Sequence, residues 1–103
     1  ADTYVLPAHG LPFYRLHERI DELTEHHEER LAAILEGCAT ATPVWNSLPW
    51  LFRRKMEGGT IFMALAEAQA HFNKLEIDGL LAREIGDDGV HRFRTIENAT
   101  VAA

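Results

Sequence analysis

The sequence predicts a mainly α-helical domain of the winged helix-turn-helix class, with three helices and a two-stranded β wing. The first observation behind this prediction is an apolar stripe from Ile61 to Leu75, which repeats at helical spacing. Gly79 follows the stripe, and glycine commonly takes the left-handed conformation that ends a helix. The second observation is a hairpin signal, because residues 81–85 and 90–95 flank a Gly-Asp-Asp-Gly turn.

Two further helices are predicted before this unit. A long helix over residues 13–37 carries apolar side chains at helical spacing. A shorter helix over residues 43–52 is expected to begin with Thr42 as its N-cap and Pro43 as its first residue. Together with a third helix over 60–78 they should form one core. Eight side chains are expected to be largely buried in it: Ile20, Leu23, Ile34, Trp45, Phe52, Leu65, Phe72 and Leu75.

The N-terminal residues are expected to be extended. Tyr4, Val5 and Leu6 are typical of a β-strand, but a lone strand cannot satisfy its own backbone groups. We therefore expect residues 3–8 to lie against a second copy of the chain, or else to fold back on the first helix. The first arrangement is favoured and would produce a homodimer.

The charge balance disfavours a nucleic-acid partner. The chain of 103 residues has a formal net charge of −6, whereas phosphate contacts supply most of the affinity for nucleic acids. On the predicted third helix, Lys74 stands against Glu67, Glu76 and Asp78. Only the Arg-Arg-Lys run at 53–55 forms a basic cluster. A winged-helix DNA-binding transcriptional regulator is kept as the alternative function.

The composition also predicts where the protein acts. No apolar run approaches the roughly 20 residues of a membrane helix, and residues 4–6 are too short for the apolar part of a signal peptide. The single cysteine, Cys38, excludes an internal disulfide and fits a reducing compartment. We therefore expect a cytoplasmic protein with no membrane partner.

Four stretches of the chain resemble a known family. They are VLPAHGLPF at 5–13, LHERIDELTEHHEERL at 16–31, LFRRKMEGG at 51–59 and AEAQAHFNKLEIDGLL at 66–81. They look like the end of a metallo-β-lactamase-fold hydrolase, and more narrowly like the winged-helix domain at the C-terminus of many such proteins. The resemblance implies that residues 1–10 are the last strand and turn of an upstream catalytic domain, 11–96 the winged-helix domain, and 97–103 a tail.

The resemblance further implies a metal-dependent hydrolase in the longer protein, with zinc or another divalent metal in the upstream domain. Thioesters, RNA and small esters all remain open as substrates. His9, in the Pro-Ala-His-Gly turn, is implied to be a metal ligand there. The family's His-x-His-x-Asp-His motif is absent from this chain, so the chain alone is expected to bind no cofactor and to hydrolyse nothing. Its partners are expected to be the upstream catalytic domain and a possible second copy.

Other candidate residues favour ordinary structural roles. Three possible metal ligands share one face of the predicted first helix: Glu22, His26 and Glu29. We interpret this face as an acidic, solvated surface rather than as a metal site. His27 and His71 fall on helical faces and are interpreted as hydrogen-bonded core histidines rather than ligands. Ser47 and Cys38 have no general base nearby in sequence, so nucleophilic catalysis is not supported.

Overall fold

The computed structural model describes residues 2–8, 10–52, 57–97, 99 and 101. These residues form helix α1 (Leu16–Gly37), strand β1 (Thr42–Pro43), a 3-10 turn (Val44–Ser47), helix α2 (Leu48–Leu51), helix α3 (Gly59–Ile77) and strands β2 (Leu81–Ile85) and β3 (His91–Thr95). The mainly helical character, both long helices and the terminal hairpin are as predicted.

The number of strands is a correction. The described residues form a three-stranded antiparallel sheet in the order β1-β3-β2, whereas a two-stranded wing was predicted. Thr42 pairs with Phe93, and Pro43 pairs with Arg92. The prediction is wrong because Thr-Pro also fits the start of a helix, yet Pro43 is extended, with φ −75° and ψ 153°. Proline has no N–H to donate, so it suits an edge strand, which is the place of β1.

The second predicted helix is shorter than expected. Instead of a helix over 43–52, the 3-10 turn leads into a single α-helical turn. Pro49 lies at the start of α2, where a missing N–H breaks no helical hydrogen bond. A 3-10 turn has three residues per turn, so Val44 and Ser47 face the core together. Trp45 falls off this face and is 56% exposed, contrary to the prediction.

The segment before α1 folds back on itself. Val5 and Phe13 exchange two backbone hydrogen bonds, at 2.6 and 3.0 Å. The backbone N–H of Arg15 donates to the Asp2 carboxylate at 2.9 Å, and Arg15 adopts the left-handed conformation with φ 67°. Helix α1 consequently begins at Leu16 rather than at Phe13. The segment thus pairs with residues 13–15, just before α1, whereas the fold-back was expected on the first helix itself; pairing with a second copy stays a prediction.

The core lies between the C-terminal half of α1, α2, α3 and the sheet. Of the side chains predicted to be buried, Ile34, Phe72 and Leu75 are confirmed, and Phe52 and Leu65 are half-buried. Ile20 and Leu23 are wrong, since they are 47% and 43% exposed. They lie on the same helix as Ile34, but no described part of the chain covers them.

The turn of the hairpin is held by an ion pair. The Arg92 guanidinium donates to both carboxylate oxygens of Asp88, at 3.2 and 2.8 Å, and the Val90 N–H donates to one of them at 3.0 Å. The Arg92 bonds, followed by the Val90 bond, lower the pKa of Asp88 from 3.8 to about 2. Because these bonds favour the ionised form, they stabilise the turn above pH 3.8 and are lost as the pH falls through about 2.

We expect Arg92→Gln to raise the pKa of Asp88 back towards 3.8, because the main hydrogen-bond donor is removed. Arg92→Lys is the matched control, since lysine keeps the charge but lacks the two-pronged geometry and should restore only part of the shift. An NMR titration of the Asp88 carboxyl carbon measures each midpoint. A midpoint near 3.8 in the unaltered chain would contradict the observed pairing.

Candidate functional site

The N-terminal half of α1 carries an apolar stripe that nothing in the described chain covers. Leu16, Ile20 and Leu23 continue, at helical spacing, the line of Leu31 and Ile34 that enters the core. Every residue from 17 to 29 is exposed, whereas buried positions begin at Leu31. Leu16, at the start of the helix, is half-buried, and we call the exposed pair Ile20 and Leu23 the uncovered stripe. An exposed apolar stripe on a projecting helix is typical of a surface that packs against another domain or chain.

The loop before α1 adds apolar surface next to the start of this helix. The rings of Tyr4 and Tyr14 lie 4.8 Å apart, and both side chains remain more than half exposed. Leu6 and Leu11 are also exposed, at 74% and 86%. We call residues 2–8 and 10–15 the N-terminal loop. Together the loop and the stripe form the main candidate interaction surface.

The body of the domain meets the projecting half of α1 at a polar junction with α3. Arg30 donates to the Glu67 carboxylate at 2.6 Å, and its guanidinium lies 5.3 Å from the centre of the Phe52 ring. One turn earlier, Nδ1 of His27 lies 3.1 Å from Nε2 of His71. His71 is buried and His27 is exposed. Both histidines were expected to be hydrogen-bonded and buried in the core. His71 is both, whereas His27 is hydrogen-bonded but exposed.

The hydrogen bonds fix the tautomer of His71. Its Nδ1 lies 2.7 Å from the carbonyl oxygen of Glu67, and a carbonyl oxygen can only accept, so Nδ1 carries the proton. In the neutral ring, Nε2 then presents a lone pair towards His27. With His71 neutral, the hydrogen bond then runs from Nδ1–H of His27 to this lone pair. The junction thus holds one buried imidazole whose free nitrogen is oriented by the backbone.

The basic side chains of α3 and the hairpin are paired with nearby acids. Each lysine and arginine in residues 57–97 is in an ion pair with an acid of the same segment: Lys74–Asp78, Arg83–Glu76, Arg92–Asp88 and Arg94–Glu84. Gln69 donates to Asn73 at 2.8 Å, so these two amides also bond to each other. The basic run at 53–55 lies outside the described residues. Within 57–97, a phosphate would therefore compete with an acidic partner for each of these cations.

The described residues bring no catalytic group together. Burial raises the pKa of the Cys38 thiol to about 11, so it stays protonated and is a poor nucleophile. Ser47 is buried and donates to the carbonyl of Val44 at 2.6 Å. Glu22 accepts from Arg19 at 3.0 Å, and no group of three histidines, cysteines or acids in the described residues is placed to hold a metal. His9, the ligand implied by the resemblance, lies outside the described residues.

The family model of the metallo-beta-lactamase-like, C-terminal domain matches residues 31–96. The chain belongs to this family. The matched segment begins at Leu31, which is the first buried residue of α1, so it coincides with the packed body of the domain. This assignment confirms the resemblance on which the sequence prediction rested.

A solved structure extends the comparison to the projecting part. The crystal structure of a Beta-lactamase domain protein from Burkholderia ambifaria matches with a TM-score of 0.87 and 41% sequence identity over 92% of this chain. The matched segment spans only 29% of that protein's chain, so this chain covers less than a third of its length. A match over 92% of 103 residues must include most of the residues before Leu31. The projecting helix is thus shared with that protein.

The search of curated proteins gives no match. In the described residues, no helix combines the length and the apolar character that crossing a bilayer requires.

Proposed function

We propose that this chain is the C-terminal accessory domain of a metallo-β-lactamase-fold hydrolase and packs on the catalytic domain of the same polypeptide. The observation that carries the proposal is the uncovered stripe. It lies on the N-terminal half of α1, where the apolar face of the helix has no partner in the described chain. Family membership supports the choice of partner, because the similar Burkholderia ambifaria chain is more than three times as long as the segment matched. A cytoplasmic location stays a prediction from the single cysteine.

The scaffold is proposed to be a winged helix used for protein contact. Helix, strand, two helices and two strands follow one another, and β1 joins β3 at the sheet edge, which is the order expected of that fold. A DNA-binding role has less support, since the ion pairs within 57–97 already engage the lysine and arginines that phosphates would need. Shape alone does not decide between these uses.

Under the proposal, the chain itself catalyses no reaction. Catalytic zinc takes about three protein ligands, and the described residues assemble no such group. Under the proposal, the zinc or other divalent metal belongs to the catalytic domain, and His9 contributes one ligand to it. The reading frame preceding Ala1 should accordingly encode a His-x-His-x-Asp-His motif, and its sequence tests this part directly.

The packing surface is tested by placing a charge on the uncovered stripe. We expect Ile20→Glu combined with Leu23→Glu to change the stability of the isolated chain by no more than about 0.5 kcal/mol per site, because both positions are exposed. In the polypeptide that includes the catalytic domain, the same change should cost about 2 kcal/mol or more, as at an interface hot spot. Thermal unfolding of both proteins measures the difference.

Ile85→Glu is the matched control, since Ile85 is 65% exposed but lies on β2, away from the stripe. It should have little effect in either protein. Equal effects of the stripe and control variants in the longer polypeptide would refute the proposed packing. Sedimentation of the isolated chain distinguishes this packing from a homodimer formed through the stripe. Such a dimer would dissociate into monomers in the Ile20→Glu variant.

A further inference from the structure

At the junction of α1 and α3, imidazole nitrogens from the two helices face each other. We propose that His27 and His71 together bind a late first-row divalent cation, such as Ni²⁺, Cu²⁺ or Zn²⁺, through Nδ1 of His27 and Nε2 of His71. These two nitrogens lie 3.1 Å apart and belong to different helices. Two nitrogens at about 2.0–2.1 Å from a tetrahedral zinc are separated by roughly 3.3 Å. The separation of the two nitrogens therefore changes by only a fraction of an ångström when they share an ion, while each ring rotates so that its lone pair points at the ion instead of at the other nitrogen.

The hydrogen bonds around His71 favour this role over a simple histidine pair. A metal-binding histidine almost always donates its other ring N–H to a carbonyl or carboxylate, which fixes the ring and the lone pair. His71 does this through Nδ1 and the Glu67 carbonyl at 2.7 Å. With neutral rings, the one proton between the facing nitrogens lies on Nδ1 of His27, and it would pass through solvent to Nε2 of the same ring when the ion binds. Both facing nitrogens then present lone pairs to the ion, and no net proton is released.

The surroundings leave room for the remaining ligands. His71 is buried, but His27 is exposed and lines an open groove of about 600 Å³ between α1 and the end of α3. Solvent can therefore reach the ion from the side of His27, because His71 does not line this groove. No third histidine, cysteine or acid in the described residues completes the group, so the site is a two-imidazole chelate. Imidazole ligands select nickel, copper and zinc over magnesium and calcium.

The charged side chains near the two imidazoles are already paired with each other. The Glu67 carboxylate is engaged by Arg30 at 2.6 Å, so it remains outside the pair of imidazoles. Across the groove, Lys74 is paired with Asp78 at 3.0 Å, which offsets its positive charge. A bound ion would tie α1 to α3 at the point where α1 leaves the body of the domain. It would thereby fix the direction of the projecting half.

Titration of the chain with Ni²⁺ and Zn²⁺, followed by calorimetry, tests the site. We expect one ion per chain and a rise in the unfolding temperature at saturating metal. Either His27→Gln or His71→Gln should weaken binding at least about tenfold, because one imidazole is left. His26→Gln is the matched control, since His26 is adjacent and exposed, and it should leave the affinity unchanged.

His27→Gln is the decisive variant for the metal site, because His27 is exposed and its replacement should not unfold the domain. Paramagnetic broadening by Ni²⁺ gives an independent reading, and it should affect the ring signals of His27 and His71 before those of the chain's other four histidines. Binding that survives His27→Gln, or broadening centred on another histidine, would overturn the proposal. A chain that shows no metal-dependent rise in unfolding temperature would do the same.

Discussion

Replacing Phe72 with alanine should lower the free energy of unfolding by about 3–5 kcal/mol. Phe72 is fully buried on α3, and its ring meets the edge of the Phe93 ring with the centroids 5.1 Å apart. The change would leave a cavity and remove the aromatic pair that joins α3 to the sheet. Small domains are stable by only about 5–15 kcal/mol in total, so a large part of the margin would be lost.

Phe62→Ala is the matched control, because Phe62 lies on the same helix but is 75% exposed. Its effect should stay within about 0.5 kcal/mol. Urea unfolding followed by circular dichroism measures both variants, and the expected difference appears as a lower midpoint for Phe72→Ala alone. Similar midpoints for the two variants would contradict the core described here.

Local patterns explain why much of this fold was predictable. The spacing of apolar residues in α3 depends only on neighbours three and four positions away, and it correctly places Phe72 and Leu75 in the core. The hairpin depends on a turn of four residues, and its strands lie close to the predicted positions. Both signals are complete within one segment of sequence.

The uncovered stripe shows where such patterns stop being informative. Ile20 and Leu23 have the same helical spacing as Ile34, and the sequence assigns all three to one core. Periodicity identifies the apolar face of a helix, but it does not identify what covers that face. Ile34 is covered by the chain itself, whereas Ile20 and Leu23 are not. The error in burial is therefore what locates the candidate interaction surface.

Features that join distant segments were missed for a related reason. β1 has only two residues, and its partner on β3 lies about 50 positions further along the chain. The facing histidines, His27 and His71, are separated by 44 positions. Each had been recognised singly on a helical face, but no local signal connects them. A pairing of the predicted apolar faces of the two long helices would have brought both to one junction.

Gly37→Ala should destabilise the domain by about 1–3 kcal/mol, as expected for overpacking. Helix propensity alone predicts the opposite, because alanine is favoured over glycine by up to about 1 kcal/mol within a helix. The difference arises from Trp50, whose ring lies against Gly37 at the end of α1. A Cβ atom there would lie 2.6 Å from the Cε3 atom of that ring, which is too close without a shift.

A double-mutant cycle with Trp50→Ala separates these two contributions. Trp50 is 39% exposed, so its removal should leave the rest of the core in place while abolishing the contact with position 37. In that background Gly37→Ala should be neutral or stabilising, because only the helix propensity remains. Urea unfolding of the four proteins gives the coupling energy. Equal effects of Gly37→Ala in the two backgrounds would show that the ring does not set the requirement for glycine, whereas a change of sign would show that Trp50 closes the end of α1 over a residue without a side chain.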